Sequence, residues 1–229
     1  LNIFIAKKDF LNIIFLSKLY EMYIAPLNLQ TQSHIIRSYI EQHGFATLVS
    51  AMGDQLHATH TPLQLVSSEG QEWLHGHIAK ANPQVDHIRQ QARATAIFMD
   101  AHTYISSSWY DHVNVPTWNY MAVHVHGVLQ ALDEEQTRSS LDQLVAQYED
   151  QDQKHFHISQ MTEQDIKAHL RGLQGFRLTI EKIEASWKLS QNRDDANHAA
   201  IISKLRERGD ALSLAIAEEM AKMRPQNAK

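Results

Sequence analysis

Cysteine is missing from all 229 residues, which removes disulfides, thiolate metal ligands and thiol nucleophiles from the chain's chemistry. An excess of positive charge is missing too. The 21 Lys and Arg face 26 Asp and Glu, a formal charge of −5, so no whole-molecule field draws the chain to phosphate backbones or anionic membranes, and DNA contact would have to be local. The apolar stretch at 1–21, LNIFIAKKDFLNIIFLSKLYE, is broken by Lys7, Lys8, Asp9 and Lys18, short of the roughly 18 apolar residues that a membrane span needs. Tyr20, Glu21 and Met22 supply no small-residue cleavage site for a signal peptide. No HExxH, P-loop, GxGxxG, Ser/His/Asp order or paired-carboxylate motif stands out, and Asp194 and Asp195 read as a helix cap, so a hydrolase gets little support. Repeats and low-complexity segments are also absent. These exclusions leave one compact body, expected in the cytoplasm, that meets no membrane.

What is present alternates. FATLVSA, a turn at Met52 to Asp54, LHATHTPLQLV, EWLHGHIAKANP, ATAIFM and the long VPTWNYMAVHVHGVLQAL read as short strands, a number and spacing that favour a barrel or sandwich over a parallel sheet. Ala58, Leu63 and Leu65 are the expected core positions of the second strand, and Pro62 within it predicts an edge or a bulge. A helix is predicted over Thr31–His43, with Thr31 as cap and Gly44 as stop. Asp133 and Gln136 form a capping box for another, to about Glu149. After a polar linker over 150–161, Thr162 caps a helix ending near Gly172, and GFRLTIEKIEASWKLSQ returns as a strand. The tail should be two helices, about 195–208 and 210–223, broken at Gly209.

The chemistry concentrates in Tyr104 to His126, which packs two Trp, three Tyr and three His among few charges, the composition of a partly buried surface for a flat conjugated ligand. Of the 15 histidines, His57 and His60, His75 and His77, and His124 and His126 stand at pair spacings. Strand positions two apart share a face, but no third ligand accompanies either strand pair, so no metal site is assigned.

Three motifs carry a family resemblance: HGHIAKANP, HTYISSSWY with VPTWNYMAVHVHG, and WKLSQNR. From Met22 to about Arg206 the chain resembles the PaiB family, described as FMN-binding negative transcriptional regulators with a split-barrel flavin fold. The resemblance implies a β-barrel with accessory helices (α+β) and a C-terminal helical segment: 1–21 as an N-terminal extension, 22–193 as the FMN-binding domain, 194–229 as the helical tail. It implies FMN, with Gly76, His77, Ala79, Lys80, Ala81, Asn82 and Pro83 at the phosphate, Lys80 replacing an arginine and so keeping charge without the bidentate fork. Thr59, His60 and Pro62 would flank the ring. Tyr104, Ser106, Ser108, Trp109, Trp118 and Asn119 would stack on it or bond its polar edge, and Trp187, Lys188, Gln191 and Asn192 would close the pocket, from a second subunit of a homodimer if the site lies at the interface. Ala185 and Ser186 stand where the family has Gly-Lys, and Ser107 where it has proline. Three functions stay open: a flavin-holding repressor, an FMN-dependent oxidoreductase using a nicotinamide donor, and a haem-handling protein. Direct DNA recognition through the tail has a weak footprint, since 203–229 hold six cations and four acids.

Overall fold

A computed structural model describes residues 22–149 and 156–224, so the expectation for the extension at 1–21 and part of the 150–161 linker lie outside the described residues. The strands are β1 (Phe45–Met52), β2 (Gln55–Ser68), β3 (Gln71–Ala79), β4 (Arg93–Phe98), β5 (His102–Ile105), β6 (Thr117–Ala131) and β7 (Leu173–Lys188). All pair antiparallel in the order β4-β1-β2-β3-β7-β6-β5, and β4 also pairs with β6, which closes six strands into a ring and leaves β5 attached to β6.

Alternation fills the ring. Leu48, Leu74, Phe98, Val123, Val125, Leu129, Phe176 and Leu178 point inward and are fully buried, and burying each large apolar side chain contributes on the order of 2 kcal/mol. Leu63 joins them and Leu65 packs against them. Ala58 does not. It is exposed, because opposite partners share a face and Ala58 sits opposite Val49, on the outer side. Pro62 stands where β2 changes partner: it ends the pairing with β1, and from Leu63 onward β2 pairs with β3. A residue without an N–H fits that handover.

Around the ring lie α1 (Ser33–Gln42), α2 (Gln84–Arg89), α3 (Glu134–Glu149), α4 (Glu163–Leu170), α5 (Asp195–Arg208) and α6 (Ala211–Met223). The capping box forms as its residues require: Gln136 N–H donates to Asp133 Oδ1 at 2.8 Å, and Asp133 N–H to Gln136 Oε1 at 3.2 Å. Thr162 Oγ1 accepts from Asp165 N–H at 3.2 Å, and Asp194 Oδ1 from Asn197 N–H at 2.9 Å. Gly209 ends α5 at φ +75°, a left-handed position that costs glycine nothing. The helix predicted from Thr31 instead starts at Ser33, preceded by Gln32 with no side-chain cap. α5 and α6 belong to the common core, since Ile201, Leu205, Ile216 and Met220 are buried with the barrel's inner residues.

Candidate functional site

The ring has two outer faces, and α3 and α4 cover only one of them. On the covered face, β3 and the start of β7 align Gln64, His75 and Arg177 in one row and Val66, Trp73 and Thr179 in the next. Gln64 Nε2 donates to Gln147 of α3 at 3.0 Å. Arg177 lies 5.7 Å from the Trp73 ring centre and donates to Gln130 at 2.7 Å. Burial holds both His75 and His77 below the ordinary histidine range, with Arg177 adding to the effect at His75.

The open face spans β2, β1, β4, β6 and β7. Register places His60, Thr47, Ile97, His124 and Glu184 in one row, and Ala58, Val49, Thr95, His126 and Lys182 in the next. Thr47 Oγ1 and His60 Nδ1 are 3.0 Å apart. His126 is buried between Thr95 Oγ1 at 2.8 Å and Glu184 Oε2 at 2.9 Å. Burial keeps His126 below the ordinary histidine range, against the pull of Glu184. His124, half-buried beside it, is lowered by burial and by His126. Burial alone would raise Glu184, but Lys182, 2.7 Å away, and the Met22 N–H hold its carboxyl below the ordinary carboxylate range. Exposed apolar side chains rim this face, with Phe45 at 69% and Met99 at 51% of full exposure.

The same alternation on β6 carries Trp118 and Tyr120 onto the open face with His124. Tyr120 sits opposite His102 and Lys188, and Trp118 opposite Tyr104. The Tyr104 and Trp118 rings meet edge to face at 5.8 Å and are both exposed, with His102 tilted against Trp118 at 6.0 Å. Lys188 Nζ donates to Thr117 Oγ1 at 2.7 Å.

Asn119 and Trp187, one residue from Trp118 and Lys188, fall on the inner side. Asn119 is fully buried, accepting from Ser190 Oγ at 3.1 Å. Trp187 is buried edge-on to Tyr39, ring centres 5.1 Å apart. Gln191 bonds back to Leu189 and to the Trp187 carbonyl, and Asn192 is exposed. Ser106 and Ser108 hydroxyls are 2.9 Å apart at a tight turn, and Trp109 carries Arg208 over its ring at 4.6 Å.

The phosphate-type segment occupies the corner between β3 and α2. Asn82 Nδ2 donates to Thr59 Oγ1 at 2.9 Å, and its Oδ1 accepts from Gln84 N–H at 2.9 Å. Ala81 is exposed at this corner. Lys80 is exposed too, its ammonium donating to the Leu170 carbonyl at 3.5 Å, toward α4 and the covered face. One chain therefore brings together Thr59, His60, Asn82 and the Lys80 corner, and separately Tyr104, Trp118 and Lys188. Six residues of β6 divide Trp118 from the His60 row, about 20 Å along the strand. Sequence reasoning missed Thr47, Thr95, Tyr120 and Glu184. Tyr120 was legible, two residues from Trp118 in strict alternation, whereas the others share the face only through register. Among the described residues no group of three or more His, Asp or Glu could hold a metal ion.

A family profile described as "Putative FMN-binding domain" matches residues 22–182. The protease synthase and sporulation protein PAI 2 of Bacillus subtilis is 31% identical over 199 residues, 87% of this chain and 96% of that protein. An uncharacterized protein of Emericella nidulans, AN0679, is 20% identical over 86% of this chain and 95% of its own length. Among solved structures, the FAD and heme binding protein from Mycobacterium smegmatis superposes with TM-score 0.53 at 13% identity, covering 76% of this chain and 80% of that one. A conserved hypothetical protein from Mycobacterium tuberculosis gives 0.52 at 14%, covering 75% and 92%. At such identities the likeness is one of fold, the split barrel.

Proposed function

This chain belongs to that FMN-binding domain family, and on that premise we propose that it binds flavin mononucleotide on the open barrel face as a homodimer of PaiB type. The observation that carries the reading is the open face itself: a wall of imidazoles, threonines and apolar side chains with Glu184 and Lys182 at one edge, continued along β6 to the exposed Tyr104–Trp118 pair and covered by no helix among the described residues. The residues fit the group in kind. Thr59 and Asn82 add donors and Ala81 a small residue that lets backbone approach a phosphate, while Lys80, whose ammonium here donates to the Leu170 carbonyl on the covered side, would turn about the corner to bring its charge to that phosphate. His60, Trp118 and Tyr104 offer flat surfaces for a ring, and Lys188 a cation for its polar edge. They do not all fit one chain's reach. The roughly 20 Å between the two groups exceeds what a single flavin bridges, so the aromatic pair that meets a given flavin comes from the second copy.

Bound there, the flavin would supply hydride and single-electron chemistry, and this chain's residues would position it and exclude water. Regulation of PaiB type is the role we assign. It works through the flavin-bound dimer rather than through a recognition helix, because the apolar stripes of α5 and α6 are spent in the core, and Arg208 of α5 and Arg224 just after α6 are held in internal bonds. Arg208 donates to Thr103 and Tyr104, and Arg224 to Gln191 and Arg193 carbonyls. An oxidoreductase is the second reading, favoured by His124, a half-buried imidazole held neutral on the same wall.

The test is reconstitution of purified protein with FMN. Tight one-to-one binding that Trp118→Ala and Lys80→Ala both weaken supports the site, and FMN that washes away overturns it. Bleaching of the bound flavin by NADH or NADPH selects the oxidoreductase. A Soret band in place of flavin absorption would move the assignment to haem.

A further inference from the structure

The barrel wall has a gap. β7 pairs with β3 as far as Thr179, and an isolated bridge joins Leu29 to Ser186. Between these points, among the described residues, no strand lies along the outer edge of β7. The gap is a groove of about 570 Å³ whose apolar lining is Ile24, Leu29, Ile36, Ile180 and Ile183. Ile36 belongs to the core, so the groove opens onto the interior of the fold. The Arg37–Glu72 and Lys182–Glu184 pairs line it as well, with Glu181 paired to Arg93, so the charge around the apolar residues is balanced.

The described chain begins here. Met22 N–H donates to Glu184 Oε2 at 3.0 Å, and Ile24 is itself a lining residue. Tyr23, Leu27 and Leu29 beside it are exposed, Tyr23 at 89%, which is unpartnered apolar surface next to the point where residues 1–21 join. Twelve of those 21 residues are Leu, Ile, Phe or Tyr. So apolar a segment gains by leaving water, at roughly 25 cal/mol per Å², and its lysines and aspartate keep it from crossing a bilayer. The family match starts only at residue 22, so the segment adds to the shared fold.

We propose that residues 1–21 dock in this groove of their own chain, covering the apolar gap beside β7. The groove shares Lys182 and Glu184 with the edge of the open face, but its apolar lining holds no proposed flavin contact, and its test is run without flavin.

The test compares the full chain with its I13D/I14D double variant and with a chain beginning at Met22, by amide hydrogen exchange. Exchange across Ile180–Ala185 and Ser33–Arg37 should be about tenfold slower in the full chain than in either altered form, at every protein concentration tried. Equal exchange in all three would overturn the proposal. Protection that grows with concentration and follows dimer formation would overturn it in favour of a second copy. Flotation of the full chain with phosphatidylcholine–phosphatidylglycerol vesicles, with no protection of the groove, would overturn it in favour of a lipid surface. The double variant keeps the measurement decisive if the shortened chain aggregates.

Discussion

The two outer faces of this barrel are built from the same alternation and have opposite fates. On the covered face α3 lies so close that a Cβ added at Gly175 would come within 2.2 Å of Thr137 Oγ1, and the histidines beneath sit among amides and an arginine. On the open face Thr47, Ile97 and His124 stand half-buried with no helix among the described residues laid over them, and Phe45 is exposed. That contrast is what motivates the proposal that the less covered side receives another molecule.

The contrast can be broken most directly with a charge. If the proposed dimer forms across the open face, Ile97→Asp should abolish it, raising its dissociation constant about a thousandfold, because a carboxylate buried across an interface has no partner, while the monomer's unfolding midpoint barely moves. Sedimentation velocity beside thermal melting checks both halves, and a dimer that survives would show that the open face is not the interface. The mirror experiment is Gly175→Ala. It should cost about 2–3 kcal/mol of stability, since α3 must lift, and leave the oligomeric state alone. Denaturant titration measures it, and an unchanged midpoint would mean that α3 is not packed as described.

Two smaller effects sharpen the comparison. Lys80→Ala should weaken FMN about tenfold by isothermal titration, the worth of one charge-assisted contact, and an unchanged affinity would remove Lys80 from the site. Acid should weaken the apo fold through its histidines. His75, His77, His124 and His126 have folded pKa values below the unfolded 6.5, so the unfolded chain binds more protons. Their stabilisation is complete above pH 6.5 and is lost as pH falls through the folded values. Each such proton sets a slope of at most about 1.4 kcal/mol per pH unit, and His77→Gln should flatten the fall between pH 6.5 and 5.5. An identical profile in that variant would exclude His77 as a contributor.

Much of this was written in the chain. Strand runs around Gly53, the capping box at Asp133 and Gln136, the Thr162 and Asp194 caps and the break at Gly209 stand where their side chains require. β5 and α2 escaped notice for physical reasons: His102–Ile105 is four residues long and buried inside an aromatic block, and Gln84–Arg89 makes fewer than two turns, too short for a stripe. The site was legible as a set of residues and not as a place. Nothing in WNY or WKL says that Trp118 and Lys188 face outward while Asn119 and Trp187 face in.

The sequence by itself determined the elements, because helix caps, turn residues and the two-residue period act over a few neighbours. Only the tertiary structure decided which elements share a face. That depends on strand register, on the bulge between His126 and Gly127 that shifts the β6–β7 pairing, and on the pairing of β4 with β6 that closes the ring, all of them contacts between residues far apart in the chain. It is also what separates Lys80 from Trp118 in one chain, a separation that a second copy would have to bridge.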